Sequence, residues 1–247
     1  MDNFLSFYEP FFDINNWIAV FDSKQDWIII ISLVILECMM SLDNAVVLAA
    51  QTKILPDKKE QEKSLLYGLV GAYFFRFVAV GIGSFLIHFW QVKVVGALYL
   101  LYLSISFFIR FKNGGHENGH KHIPVMKKLS LFWRVVISIE LMDIAFSVDS
   151  VLASLALSEN PIILVLGGFL GILMMRLIAE VISVIMSKIP ELIPAAYVLI
   201  FFIAIKLFLT IPAIDIEIPS YLFLIFTILV FVVTFIIHFM TKKKRRD

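Results

Sequence analysis

The chain has 247 residues, a formal net charge of +1, 60% hydrophobic residues and 17% charged ones, with a mean hydropathy of +0.92. Soluble domains carry about 25% charged residues, so this composition excludes a soluble globular protein and points to a single transmembrane domain spanning 1–247. One cysteine, Cys38, excludes an internal disulfide framework.

Residues 1–26 hold several acids and one base, Lys24, with no basic stretch before an apolar core, so no cleavable leader is expected. Phe4, Phe7, Tyr8, Phe11 and Phe12 recur at helical spacing before Trp17. That pattern fits either a short amphipathic element at the outer interface or an unstructured aromatic leader. Seven apolar runs follow, at 27–50, 66–89, 92–109, 132–157, 162–186, 194–211 and 221–240. Each has roughly 18 to 25 residues, the length needed to cross about 30 Å of hydrocarbon. Every proline falls outside these runs or at the first residue of one, where a missing N–H does no harm. Transmembrane strands would be shorter and alternating. The predicted fold is therefore all-α and polytopic, with seven transmembrane helices.

Charge placement sets the orientation. With the N-terminus outside, the inner segments take Lys53, Lys58, Lys59, Lys63, Arg110, Lys112, Lys121, Lys127, Lys128, Arg134, Lys188 and the basic tail at 241–247, leaving Lys24 and Lys93 outside. The positive-inside rule then predicts a cell-membrane protein with its N-terminus out and C-terminus cytoplasmic. The same rule explains the basic runs, so no nucleic-acid partner is expected. The inner loop at 110–131 contains His116, His120 and His122. It reads either as a transition-metal tract or as an ordinary solvated loop.

Two segments repeat. Glu37-Cys38-Met39-Met40-Ser41-Leu42-Asp43-Asn44 matches Asp143-Ile144-Ala145-Phe146-Ser147-Val148-Asp149-Ser150: acid, three residues, Ser, an aliphatic, Asp, then an amide or hydroxyl. Gly68, Gly71, Arg76 and Ala79 match Gly168, Gly171, Arg176 and Ala179 at identical spacing, and Tyr99 and Tyr197 lie near the starts of the third and sixth runs. Repeat one covers 27–109 and repeat two 132–211, with a peripheral seventh helix at 221–240. Three spans are an odd number, so the second copy is inverted relative to the first, an arrangement that places transporter ion sites near the midplane.

An ionised Asp at the centre of a membrane helix costs roughly 2.5 to 3.5 kcal/mol on insertion scales, which argues against its use as packing filler. Glu37, Asp43, Glu140, Asp143, Asp149 and Glu180 face Arg76, Arg176 and Lys206, leaving an excess of three negative charges. Protons or a divalent cation would neutralise it. The available donors are hard oxygens, including those of Asn44, Ser41, Ser147 and Ser150, which suit Mg, Ca or Mn better than copper or zinc.

At about 100° per residue, Glu37, Ser41 and Asn44 share a helix face, as do Asp143, Ser147 and Ser150, whereas Asp43 and Asp149 fall about 120° away. Either those two aspartates meet Arg76 or Arg176 as buried ion pairs, or the helices unwind at 41–43 and 147–149. The absence of Gly and Pro from both segments leaves unwinding only narrowly preferred. Asn44 and Ser150 are candidate ligands or interhelical hydrogen-bonding groups. Glu140 reads as an entrance guard or a solvated acid. Glu180 is spaced for a local pair with Arg176. Lys206 is either a tethered counter-ion or a snorkelling side chain, and Cys38 is a small buried hydrophobe rather than a soft-metal ligand.

The doubled acid motif and the paired Gly-x-x-Gly-x-x-x-x-Arg segments closely resemble the TerC family of integral membrane proteins, across nearly all of 27–211. That family is named for an association with tellurium-ion resistance, and its members are linked to manganese export within a superfamily of LysE-like exporters. The resemblance implies Mn(II) handling by Glu37, Asp43, Asn44, Asp143 and Asp149. It predicts a secondary exporter with Mn(II) as transported ion and no permanently bound cofactor. Alternatives are a membrane partner that delivers metal to secreted enzymes beside the secretion machinery, a tellurium-resistance component, or an exporter of organic cations or amino acids. No catalytic triad, phosphate loop or zinc-protease motif is present in the sequence, so an enzyme is not expected.

Overall fold

The computed structural model describes residues 8–82, 90–112, 129–216 and 218–244. Phe4, Phe7, the stretch holding His116, His120 and His122, and the tail at 245–247 lie outside them. Among the described residues the secondary structure is helical throughout. A 3-10 turn at Glu9–Phe12 leads into α1 (Ile14–Asp22), whose first turn is capped by Asp13, the side chain accepting the Asn15 N–H at 2.9 Å. Phe11 packs against both Trp17 and Phe77, and the Tyr8 hydroxyl donates to the Phe77 carbonyl at 3.1 Å. The described part of the aromatic leader is thus a docked helical element, with Phe12, Ile14, Ile18 and Phe21 exposed.

The first apolar run is not one helix. α2 (Lys24–Met40) and α3 (Leu42–Thr52) meet at Ser41 with a bend of 58°. Ser41 takes φ −108° and ψ 9°, outside the helical region. The matching segment does not bend there: α6 (Leu131–Leu155) runs unbroken through Ser147, Val148 and Asp149. Unwinding is therefore confined to the first copy.

The other runs become α4 (Lys58–Gly81), α5 (Trp90–Lys112), α7 (Pro161–Lys188), α8 (Leu192–Leu209) and α9 (Ser220–Lys244). α4 begins well before its apolar run because the Asp57 side chain accepts the Lys59 N–H, and capping starts a helix regardless of hydropathy. α7 starts on Pro161 behind an Asn160 cap whose side chain accepts the Ile162 N–H at 3.0 Å. By length and composition, five described helices can each cross a membrane, and the bent α2 and α3 make a sixth if they form one span. α6 has the length, 25 residues, but carries Glu140, Asp143 and Asp149 along its middle, the expense that an apolar helix avoids. Ile28, Ile31 and Ile35 on α2, and Leu66, Val70 and Phe74 on α4, stay exposed. Contiguous apolar surface of this kind fits a lipid environment.

α2 and α3 pack on α7, and α4 packs on α6; α5 packs on α6, and α8 packs on α3. Three further pairings, α4 with α7, α5 with α8 and α3 with α6, join helices that occupy matching places in the two copies. α5 and α8 run antiparallel and tightly, with Phe107 stacked on Tyr197 at 3.9 Å and Ser104 donating to the Tyr197 carbonyl at 2.8 Å. α9 lies against α8 and is far less buried than α7, and His238 Nδ1 lies 2.8 Å from Glu191 Oε2. Gly96 of α5 allows the close approach to α6, since a Cβ there would collide with the Cβ of Ala145. Gly96→Val is expected to lower stability by about 1–3 kcal/mol through overpacking. Thermal unfolding in detergent checks this, and an unchanged midpoint contradicts the close packing.

Candidate cation site

Among the described residues, the charged side chains inside the helical body form four ion pairs, with Glu140 outside them. Arg76 of α4 is 1% exposed and reaches Glu37 of α2 with both ends of its fork, at 3.1 and 3.4 Å. It also donates to Ser150 at 2.6 Å and Ser154 at 3.4 Å on α6, so one guanidinium ties three helices together. Arg176 of α7 pairs with Asp143 of α6. Asp43 of α3 pairs with Lys206 of α8 at 3.4 Å, and Asp149 of α6 pairs with Lys93 of α5.

Of the two arrangements left open for Asp43 and Asp149, pairing with the arginines is not the one found. Arg76 and Arg176 hold Glu37 and Asp143, not Asp43 and Asp149. Helix geometry supplies the reason: the aspartates six residues further on point about 120° away from that face, toward the lysines of α8 and α5. Nor does Arg176 pair with Glu180, which is exposed. Lys93 was counted from sequence as an outer charge only; the surplus of acids over bases was the signal that another base belonged inside.

Two small cavities adjoin where α3 and α6 meet. One of about 60 Å³ is lined by Asp43, Asn44, Asp149, Ser150 and Lys206. The other, about 30 Å³, is lined by Glu37, Asn44, Asp143, Ser150 and Arg76. A single water needs about 10–15 Å³ of such space, so the larger cavity has room for an ion together with a few waters. Asn44 and Ser150, together with Ser41 and Phe146, border both cavities. All six residues read from sequence as ligands thus lie around these two spaces, divided into a lysine-paired and an arginine-paired set.

Their readiness differs. Ser150 donates to the Ser147 carbonyl and accepts from Arg76, which leaves one lone pair. The Asp149 side chain is 36% exposed and Lys206 23%, whereas the arginine pairs are almost wholly enclosed. Lys206 also stands 4.9 Å from the Phe223 ring centre on α9. Among the described residues no three His, Cys, Asp or Glu side chains are gathered closely enough to hold a metal ion. The carboxylates are instead spent on internal bases, apart from Glu140. Both its oxygens are buried with no hydrogen-bond partner, so of the two roles left open for it the solvated one is not found. Cys38 is half-buried and lines neither cavity.

Helices of this length and polarity, packed around buried charge pairs and polar cavities, define a multi-pass integral membrane protein. The chain belongs to the integral membrane protein TerC family, whose family model matches residues 22–246. It is 47% identical over 246 residues to the uncharacterized membrane protein YceF of Bacillus subtilis (strain 168), covering 99% of this chain and 95% of that relative. Over 200 residues it is 35% identical to the uncharacterized membrane protein YkoY of the same organism, which covers 74% of this chain and 60% of the relative. It is also 30% identical over 200 residues to the thylakoid membrane protein TERC, chloroplastic, of Arabidopsis thaliana, covering 71% of this chain and 52% of that protein. No solved structure matches the chain.

Proposed function

We propose that the protein is a secondary transporter that exports divalent cations, Mn(II) foremost, by alternating access between two inverted three-span repeats. The observation that carries this reading is the gathering of Asp43, Asn44, Asp149 and Ser150 around one cavity with Lys206. These are hard oxygen donors of the kind Mn(II) accepts, beside a flexible cation that an incoming ion can displace. Family membership and the resemblance of the doubled acid motif support Mn(II) over other divalent ions.

The inverted repeat is supported by the packing. Exchanging the two copies turns the contact of α2 and α3 with α7 into that of α6 with α4, and the contact of α5 with α6 into that of α8 with α3. An inner C-terminus, a seventh peripheral span and a cell-membrane location complete the proposal. The acids that bind metal also bind protons, so inward proton movement is the natural coupling.

Inverted membrane vesicles loaded with Mn(II) outside test the function, with uptake into the vesicle lumen expected under an imposed proton gradient. No uptake above protein-free vesicles sinks export, and leaves metal delivery to secreted enzymes as the competing reading. Lys206→Gln is expected to tighten apparent Mn(II) affinity by ~3- to 10-fold at constant pH, roughly 0.6–1.4 kcal/mol, by removing the competitor for Asp43. Unchanged or weaker affinity in that variant contradicts the counter-ion role.

A further inference from the structure

Four glycines locate the buried charges in the two copies. On α7, a side chain at Gly168 would meet the Arg76 guanidinium, and one at Gly171 would meet Glu37. Arg76 and Glu37 are ion-paired. On α4, a Cβ at Gly68 would lie 3.1 Å from Arg176 Nη2, and one at Gly71 would run into the carboxylate of Glu140. Relative to these glycines, the counterpart of Glu37 is therefore Glu140. The motif alignment pairs Glu37 with Asp143 instead. In the glycine register Asp143 is an additional acid, and Met40 stands at its place in the first copy.

The two copies hold this pair in different states. Glu37 and Arg76 are closed on one another at 3.1 Å. Glu140 and Arg176 are open: both Glu140 oxygens, and Nε and Nη1 of Arg176, are buried without hydrogen-bond partners, while Nη2 is engaged by Asp143. Gly68 and Gly71 are three residues apart, and positions so spaced on a helix are neighbours. The unused donors of Arg176 and the unused acceptors of Glu140 are accordingly laid side by side on one face of α4. Buried, charged and unmade, they form a contact waiting to close.

We propose that Arg176 is a two-position switch between Asp143 and Glu140. Resting on our reading of the cavities as a cation site, the transfer of Arg176 to Glu140 frees the Asp143 carboxylate, which lines the smaller cavity, to take the ion. The second copy then acquires the closed pair that the first already has. Glu140 is a positioning residue in this scheme. It draws the guanidinium away and does not touch the ion. A cation at Asp143 and an arginine at Asp143 exclude one another, so ion binding and the movement of α7 against α6 are coupled through one side chain.

The test is Mn(II) binding to the full-length protein in lipid nanodiscs at constant pH, alongside thermal unfolding. Glu140→Gln is expected to weaken binding ~10-fold, within the range typical of coupled sites. Adding Arg176→Gln to that variant is expected to restore it, because no guanidinium then occupies Asp143. A loss that the second substitution fails to restore overturns the switch, as does binding that Glu140→Gln leaves unchanged. If Glu140→Gln does not fold, the infrared difference spectrum of the unsubstituted protein with isotope-labelled arginine decides. Guanidinium bands that shift on adding Mn(II), and that lose part of this shift in Arg176→Lys, support the exchange; bands indifferent to the ion overturn it. No Mn(II) binding by the unsubstituted protein overturns the cation-site reading itself, and the switch with it.

Discussion

Asp43→Asn and Asp149→Asn are each expected to lower Mn(II) uptake into inverted vesicles at least ~10-fold while leaving the protein folded. The arithmetic is short: a hydrogen bond to a charged group is worth about 1.5–3 kcal/mol, and every 1.4 kcal/mol is a factor of ten. Asparagine keeps the shape and one oxygen of the aspartate, so the loss isolates charge from packing. Fold retention is expected because both residues are held by lysines, not by enclosed arginines, and Lys206 keeps 23% of its side chain accessible. A lysine left without its acid there can turn toward solvent and toward Phe223. Unchanged transport in both variants would remove Asp43 and Asp149 from the site.

The opposite signature is expected at Arg76. Its guanidinium is enclosed and joined to Glu37, Ser150 and Ser154. Arg76→Met strands Glu37 as an unpaired buried charge, and breaking a buried pair in this way costs about 3–5 kcal/mol. Thermal unfolding in detergent should show the loss, with yield falling in parallel. Arg76→Lys should not rescue it, since one ammonium cannot span two helices as a planar fork does. The double variant Glu37→Gln with Arg76→Met is expected to recover part of the stability, because the stranded charge is gone. If the single and double variants unfold alike, the pair is not what holds α2, α4 and α6 together.

Much of the architecture is written in periodicity and charge. The apolar runs locate the long helices, and the twin motifs select the residues that surround both cavities. What could not be read is where the backbone gives way. Ser41 breaks its helix while the matching Ser147 does not, although neither segment contains Gly or Pro. The shared pattern therefore does not by itself mark the break, while in the unbroken helix the Ser147 hydroxyl donates to the Ile144 carbonyl. Partner choice was equally hidden. Glu37 and Arg76 are far apart in sequence, and the pairing of arginines with the first acid of each motif follows from helix rotation against a neighbour. Lys93 escaped notice because a base near the end of a span normally satisfies the orientation rule alone. Two readings of Glu140 stayed open because an acid toward one end of a span is commonly wet, whereas here Gly71 makes room for it inside.

On the proposed reading of the cavities as a cation site, the break at Ser41 bears on how long an ion stays. α3 begins at Leu42, so its first free amides lie beside the cavity that Met40, Ser41, Asp43 and Asn44 border. A helix start carries roughly half a positive charge. Asp43 is steadied by that charge, but a cation arriving next to it is partly repelled. The binding well is thereby made shallower than its acids alone would dig it. For the carrier proposed above this is an advantage in tempo: dwell time is expected to shorten, the empty protein to return sooner, and throughput to rise where a tighter trap would stall.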